Sequence, residues 1–184
     1  MGIKWKDTSF ADGIQISGNL RACLLESGSL IKRLEKFSPK KISLTLEAQS
    51  WKKPHPDESK LLDLRSGGYC LLREIFLTCD AHPWVYARTI IPPRTLLESR
   101  RLAHWGSKPL GYFLFSNKLT YRGKLEIAGM KTSIIPYEPI YNLAVEEDNL
   151  LWGRRSIFYI KNKPLLLIEI LLPEAIKCIN SLKK

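Results

Sequence analysis

The fold of this chain is indicated most clearly by one stretch of ten residues, Pro164-Leu165-Leu166-Leu167-Ile168-Glu169-Ile170-Leu171-Leu172-Pro173. It places one carboxylate, Glu169, in an otherwise aliphatic run that two prolines bound. A run this short and this apolar predicts a β-strand buried on both faces of a sheet, because a stable helix needs more residues. A buried, ionised Glu is costly unless it is paired or hydrogen bonded. The sequence therefore predicts a partner for Glu169, and that partner should indicate the function.

Length, composition and charge limit the kind of protein. The 184 residues are 45% hydrophobic, which predicts a single folded domain spanning 1–184 rather than a disordered chain. No apolar stretch is long enough to cross a bilayer. The formal net charge of +11 could attract nucleic acid, yet the chain lacks an RNP-like motif, a zinc-finger spacing and a long lysine tract. We therefore expect a solvated basic surface and no nucleic-acid partner.

The spacing of cysteines and histidines argues against disulfides and metal. No two cysteines have the C-x-x-C spacing, and those in apolar segments resemble small core residues, which predicts a cytoplasmic location. The histidines show no metal-ligand spacing, so no metal is expected. The N-terminus has no apolar segment typical of a signal peptide. The residues concerned are Cys23, Cys70, Cys79, Cys178, His55, His82 and His104.

Hydrophobic periodicity predicts an α+β fold built on a single antiparallel sheet. Strands are expected at 41–50, 69–79, 84–91, 119–127, 155–160 and 165–172. Helices are expected at 95–104, 110–115 and 175–182, and two short helices at 19–26 and 30–37 form a helical hairpin around Gly28. That hairpin is either a fixed packed unit or one that moves. Residues 1–15 are expected to be an irregular leader, and 129–148 a long loop.

Two arginines interrupt the apolar strands of the hairpin from Tyr69 to Ile91. If its turn holds an even number of residues, Arg73 lies opposite position 88 or 90, which places Arg73 and Arg88 on the same apolar face. Neighbouring guanidinium groups repel each other and need anions between them. In one interpretation, one arginine pairs with Glu169 and the other reaches solvent. In the other, the three side chains form a pocket for a small ligand with two carboxylates and a polar group.

At these residues the chain resembles the chorismate lyase family, over about Leu24 to Pro173. Five motifs in the family's order carry the resemblance: Leu72-Arg73-Glu74-Ile75, Pro83-Trp84 with Ala87-Arg88-Thr89, Lys108-Pro109-Leu110-Gly111, Leu151-Trp152-Gly153-Arg154-Arg155-Ser156, and Lys163-Pro164-Leu165-Leu166-Leu167 leading to Glu169. Each motif is modest alone, but five in order are specific. Two positions depart from the family pattern, which has Met at Leu30 and a small polar residue at Ile168.

The resemblance implies a six-stranded antiparallel sheet with helices, and a monomer without cofactor or metal. It implies cleavage of chorismate to 4-hydroxybenzoate and pyruvate, the first step of ubiquinone biosynthesis. Arg73 would bind the ring carboxylate, Arg88 would be a second arginine beside the site, and Glu169 would lie near the ring hydroxyl. Whether Glu169 also moves a proton stays open. Leu30 and Leu110 correspond to positions that supply backbone contacts to the ligand, and the helical hairpin corresponds to a flap.

Two other function classes are open at this point. A related fold serves as the effector domain of some bacterial transcription regulators, so the chain could bind a small acid without turning it over. That interpretation expects an attached DNA-binding helix-turn-helix, for which residues 1–18 are too short. A nucleic-acid-binding protein would explain the charge, but it gives no reason for a carboxylate buried beside two arginines.

Overall fold

An antiparallel sheet forms the centre of the computed structural model, which describes residues 2–8, 16–65, 67–106, 108–143 and 149–181. Its strands are β1 Lys6–Asp7, β2 Ile42–Lys52, β3 Cys70–Cys79, β4 His82–Ile91, β5 Thr120–Lys131, β6 Leu150–Ile160 and β7 Lys163–Leu171. They lie in the order β1-β5-β6-β7-β4-β3-β2, and every neighbouring pair is antiparallel. Six of these strands are long, as predicted, and the two-residue β1 adds a seventh at one edge within the described part of the chain.

Short helices cover both faces of the sheet and complete the predicted α+β fold. They are α1 Gly18–Leu24, α2 Leu30–Leu34, α3 Pro56–Leu61, α4 Pro93–Glu98, α5 Leu110–Ser116, α6 Glu138–Tyr141 and α7 Pro173–Ser181, with 3-10 turns at Arg100–His104 and Thr132–Ile134. The helical hairpin predicted around Gly28 is formed by α1 and α2. Ser17 caps α1, because its Oγ accepts a hydrogen bond from the Leu20 N–H at 3.4 Å. Among the described residues, no helix is both long and apolar enough to span a membrane.

The strand that contains Glu169 lies in the middle of the sheet. It pairs with β6 on one side and with β4 on the other. Leu167 and Leu171 pack in the core on one face, and Ile168 and Ile170 pack in the core on the other. The predicted strand buried on both faces is therefore confirmed, and Glu169 is the carboxylate within it.

Two segments predicted to be irregular contain regular structure. Lys6–Asp7 pairs with β5 inside the expected leader 1–15, of which residues 9–15 lie outside the described part. The loop expected at 129–148 begins later, because β5 continues to Lys131 with Ala128 and Met130 buried on one face. A 3-10 turn and α6 follow it. Residues 144–148 also lie outside the described part, and the single-domain prediction for 1–184 stays a prediction.

A β-bulge at Trp84 determines which side chains of β3 and β4 share a face. The turn Asp80-Ala81 holds two residues with positive φ, which is the even number that the prediction required. Beyond it, however, Trp84 is an extra residue in β4 that has no opposite residue in β3, and the register shifts by one. Arg73 therefore pairs with Thr89, and Arg88 lies on the opposite face. The predicted shared face of the two arginines is wrong.

Candidate active site

A small, partly open cavity lies between the sheet and helices α2 and α5, on the face that carries Arg73 and Glu169. We call this the cavity face. Four residues singled out from the sequence line the cavity together: Leu30, Arg73, Leu110 and Glu169. Its free volume is about 30 Å³, roughly the space of one water molecule in the liquid. A ring-sized ligand can therefore enter only if the walls move apart.

Small side chains on β4 form the floor of the cavity. Ala87 lies opposite Glu169 of β7, and Thr89 lies opposite Arg73 of β3. Arg73 and Glu169 are thus two strands apart and offset by two residues, which separates their Cα atoms by about 12 Å. Both side chains line the same cavity over this floor, so the arrangement suits a ligand with polar groups at opposite ends of a flat body.

Arg73 is a buried guanidinium without a carboxylate partner among residues 2–8, 16–65, 67–106, 108–143 and 149–181. Its Nη2 donates to the carbonyls of Gly106 at 2.8 Å and Lys108 at 3.0 Å. Its Nε is buried and has no hydrogen-bond partner in the described part of the chain. Burial lowers its pKa from 12.5 to about 10. This side chain can therefore bind an anion, and its desolvation makes that interaction strong.

Glu169 is paired with Arg154, a residue directly opposite it on β6. The Arg154 Nε donates to the Glu169 Oε2 at 2.6 Å. The side chain of Arg154 is 2% exposed and that of Glu169 is 12% exposed, so this ion pair is almost fully desolvated. The two partners considered from the sequence were Arg73 and Arg88, and neither pairs with Glu169.

A third arginine, the half-buried Arg122, lies behind this pair on the cavity face. The Arg122 Nε donates to the Ser156 Oγ at 2.8 Å, and the guanidinium lies 5.5 Å from the centre of the Phe158 ring. Burial and then the positive charge of Arg154 lower the pKa of Arg122 to about 10. Glu169 and Glu26 act in the opposite direction on the pKa of Arg122 but do not outweigh burial and Arg154.

Arg88 belongs to a separate buried network on the opposite face. Its Nε and Nη2 donate to the two carboxylate oxygens of Glu58 at 2.9 and 3.2 Å, and its Nη1 donates to Glu74 at 2.8 Å. Tyr86 and Tyr137 donate hydrogen bonds to the same two carboxylates. Burial acts to lower the pKa of Arg88, but the two carboxylates outweigh it and raise that pKa. Arg88 has its anions within the protein and does not line the cavity.

The starts of two helices face each other at the cavity wall. Leu30 is the first residue of α2 and Leu110 is the first residue of α5. Backbone N–H groups in the first turn of a helix have no acceptor within that helix and can donate to a ligand. The helices meet closely at Gly111, where an added Cβ would lie 3.4 Å from the Ser29 Oγ. The two walls that bear these N–H groups therefore lie close together.

Among the described residues that line the cavity there is neither a His nor a Cys. In the ranges that the structure describes, no three His, Cys, Asp or Glu side chains come together in a way that could hold a metal ion. The described cysteines, Cys23, Cys70, Cys79 and Cys178, are all free thiols. The expectation of a reaction without metal or cofactor stays a prediction.

Sequence reasoning missed Arg154 and Arg122 as parts of the site. Arg154 could have been found by counting from the turn of the last hairpin. Lys161 and Asn162 both have positive φ and form a two-residue turn, and pairing back from it places position 154 opposite Glu169. No comparable sequence signal identified Arg122.

Together, the fold and the cavity define a class of α+β domains with a small cavity between an antiparallel sheet and short helices. The fold resembles that of the C-terminal domain of the histidine utilization repressor from Pseudomonas syringae, with a TM-score of 0.57, 10% identity, and coverage of 73% of this chain and 94% of that domain. It also resembles PhnF from Mycobacterium smegmatis, with a TM-score of 0.56, 14% identity, and coverage of 82% of this chain and 66% of that one. At such low identity these likenesses concern the fold alone.

Sequence comparison gives the family. The family model described as Chorismate lyase matches residues 3–178. A probable chorismate pyruvate-lyase of Halorhodospira halophila is 35% identical over 154 residues, which cover 84% of this chain and 81% of that protein. A chorismate pyruvate-lyase of Salmonella arizonae is 35% identical over 156 residues, covering 84% and 83%. The chain belongs to the chorismate lyase family, and the predicted resemblance is confirmed.

Proposed function

We propose that this protein is a chorismate pyruvate-lyase, which converts chorismate to 4-hydroxybenzoate and pyruvate. The observation that carries the proposal is the cavity with Arg73 at one end and Glu169 at the other, where Arg73 is desolvated and has no carboxylate partner among the described residues. A para-substituted aromatic acid has a carboxylate and a hydroxyl at matching ends. The family membership of the chain supports the same conclusion.

The site residues suggest how the substrate is held. Arg73 binds the ring carboxylate with the donor capacity that its Nε and Nη1 retain. Glu169 accepts a hydrogen bond from the 4-hydroxyl. Arg88, expected as a second arginine beside the site, lies on the other face and does not reach the enolpyruvyl carboxylate. We therefore assign that carboxylate to the backbone N–H groups at the starts of α2 and α5, at Leu30 and Leu110.

The reaction requires that the substrate be held in position, and it requires no redox cofactor. Breaking the bond between the ring and the enolpyruvyl oxygen, with loss of a ring proton, makes the ring aromatic and releases pyruvate. The ring proton can pass to the enolpyruvyl methylene within the substrate, so the protein need not supply a base. The residues of this chain then exclude water, align the ring and oppose its negative charges, which are contributions of the kind that preorganised sites make.

The setting of the reaction is part of the same proposal. The product supplies the ring of ubiquinone, and the protein acts in the cytoplasm as a monomer, without a nucleic-acid partner or a cofactor. The four free thiols among the described residues support a reducing compartment.

A coupled assay tests the proposal. Purified protein is mixed with chorismate, 4-hydroxybenzoate is followed by its ultraviolet absorbance, and pyruvate is followed in parallel with lactate dehydrogenase and NADH. We expect equal amounts of both products. The variant Arg73→Met serves as the matched loss-of-site control, and Arg101→Met, which changes an exposed arginine, as the neutral control.

The structural neighbours favour one alternative, an effector-type domain that binds a small acid without turning it over. The same experiment separates the two functions. Tight binding of 4-hydroxybenzoate without formation of either product at high protein concentration would reject the lyase and support the binding domain.

A further inference from the structure

The turn between α1 and α2, residues 25–29, is held in place by the side chains behind the cavity. Arg154 donates from Nη1 to the Glu26 carbonyl at 2.8 Å and to the Cys23 carbonyl at 3.5 Å, and from Nη2 to the Gly28 carbonyl at 3.5 Å. Its Nε is the donor to Glu169. One guanidinium group thus joins the carboxylate of the site to the turn that precedes Leu30.

Arg122 holds the same turn by a different route. Its Nη1 donates to the carbonyls of Glu26 at 3.1 Å and Ser27 at 3.0 Å, while its Nε is held by Ser156. Its hydrogen bonds among the described residues do not include Glu169. Both arginines therefore anchor the turn, and Arg154 in addition contacts the Glu169 carboxylate.

The energetic consequence follows from burial. Arg154 is 2% exposed, so water cannot replace its partners if they move. A displacement of Glu169 weakens the bonds to the turn, and a displacement of the turn releases the side chain that orients Glu169. The position of the Glu169 carboxylate therefore depends on the position of the α1–α2 turn, and the reverse also holds.

We propose that Arg154 is a positioning residue that orients Glu169 and couples it to the α1–α2 turn. This inference rests on the proposed lyase function. It assigns two tasks to Arg154, aligning the Glu169 carboxylate and holding the α1–α2 turn beside the cavity. Arg122 anchors the turn only. A ligand hydrogen bonded to Glu169 therefore stabilises the turn through Arg154.

Three variants separate the two tasks. Arg154→Met removes both, and we expect the single-turnover rate with chorismate to fall about 100-fold, the cost of a misplaced catalytic group. Arg154→Lys keeps a cation for Glu169 but cannot reach the turn as well, so it should recover most of that rate. Arg122→Met removes one anchor of the turn but keeps the contact between Arg154 and Glu169, so we expect its single-turnover rate to fall less than that of Arg154→Met.

Hydrogen exchange of the peptides that cover 18–34 provides the second measurement. In the wild type, 4-hydroxybenzoate should slow exchange in the turn. Exchange should be fast in all three variants without ligand, and ligand should slow it in Arg122→Met but not in Arg154→Met. If Arg154→Met fails to fold, Arg154→Lys decides, because turn exchange at the wild-type rate in that variant would overturn the coupling.

The outcomes also separate this proposal from the lyase function. If the wild type forms no product, the lyase function fails, whereas the ligand-free exchange rates still test the anchoring of the turn. If the wild type is active and Arg154→Met turns over chorismate at the wild-type single-turnover rate, the positioning role is wrong.

Discussion

Replacing Arg73 by Met should weaken ligand binding and leave the fold at least as stable. The guanidinium is 2% exposed, has no carboxylate partner in the described ranges, and has a pKa lowered from 12.5 to about 10 by burial. At about 1.4 kcal/mol per pKa unit, keeping this group charged costs the folded state on the order of 3 kcal/mol. Because Arg73 lowers the stability of the fold by this amount, we expect it to serve ligand binding and not folding.

The stability change combines two contributions. Methionine removes the buried charge and fills most of the space with apolar atoms, which for buried charges is commonly neutral or stabilising. The carbonyls of Gly106 and Lys108 lose a donor, but both residues are exposed and water can replace it. We expect the free energy of unfolding, measured with urea, to stay unchanged or to rise by about 1 to 2 kcal/mol.

The binding change has the opposite sign. A charged hydrogen bond contributes about 1.5 to 3 kcal/mol, and Arg73 can make two to a carboxylate, so losing both should cost about 3 kcal/mol or more. This corresponds to an affinity for 4-hydroxybenzoate lower by about 150-fold or more, measured by calorimetry. The exposed control Arg101→Met should change neither quantity. A variant Arg73→Met that loses several kcal/mol of stability and binds normally would refute the reasoning.

Three further predictions follow from particular contacts. Glu169→Gln should lower the free energy of unfolding by about 3 kcal/mol, because Arg154 loses its buried counter-charge. If Glu169 only orients the ring, turnover per folded molecule should fall less than about tenfold. A loss of several thousandfold would favour proton transfer by Glu169. Arg88→Met should destabilise the folded protein by about 3 to 5 kcal/mol, because it leaves the carboxylates of Glu58 and Glu74 without Arg88. The affinity for 4-hydroxybenzoate should stay normal. Weak binding by this variant would show that Arg88 belongs to the site. Gly153→Ala should cost about 1 to 3 kcal/mol, because the new Cβ would lie 2.9 Å from the Met130 Cε; unchanged thermal stability would contradict this.

Much of the site was accessible from the sequence because its residues break local rules. A carboxylate within an aliphatic strand and an arginine within an apolar hairpin are both expensive to bury, so Glu169 and Arg73 are recognisable without a structure. Leu30 and Leu110 were found by resemblance alone, since a leucine at a helix start carries no local signal. The class of fold followed from periodicity, which depends only on neighbours along the chain.

The pairing of those residues was decided by tertiary structure. One extra residue at Trp84 shifts the register of β4, and since side chains alternate along a strand, that shift moves Arg88 to the far face. A two-residue turn at the end of β6, in turn, makes Arg154 the partner of Glu169.

The sequence alone shows which residues need partners, because the cost of burying a charge depends on the residue and its immediate surroundings. Which partners they receive depends on strand register, and register is settled by turns, bulges and packing over the whole sheet. For Glu169, the sequence determined that a counter-charge was needed. Only the folded sheet decided that Arg154 supplies it and that the same side chain reaches the α1–α2 turn.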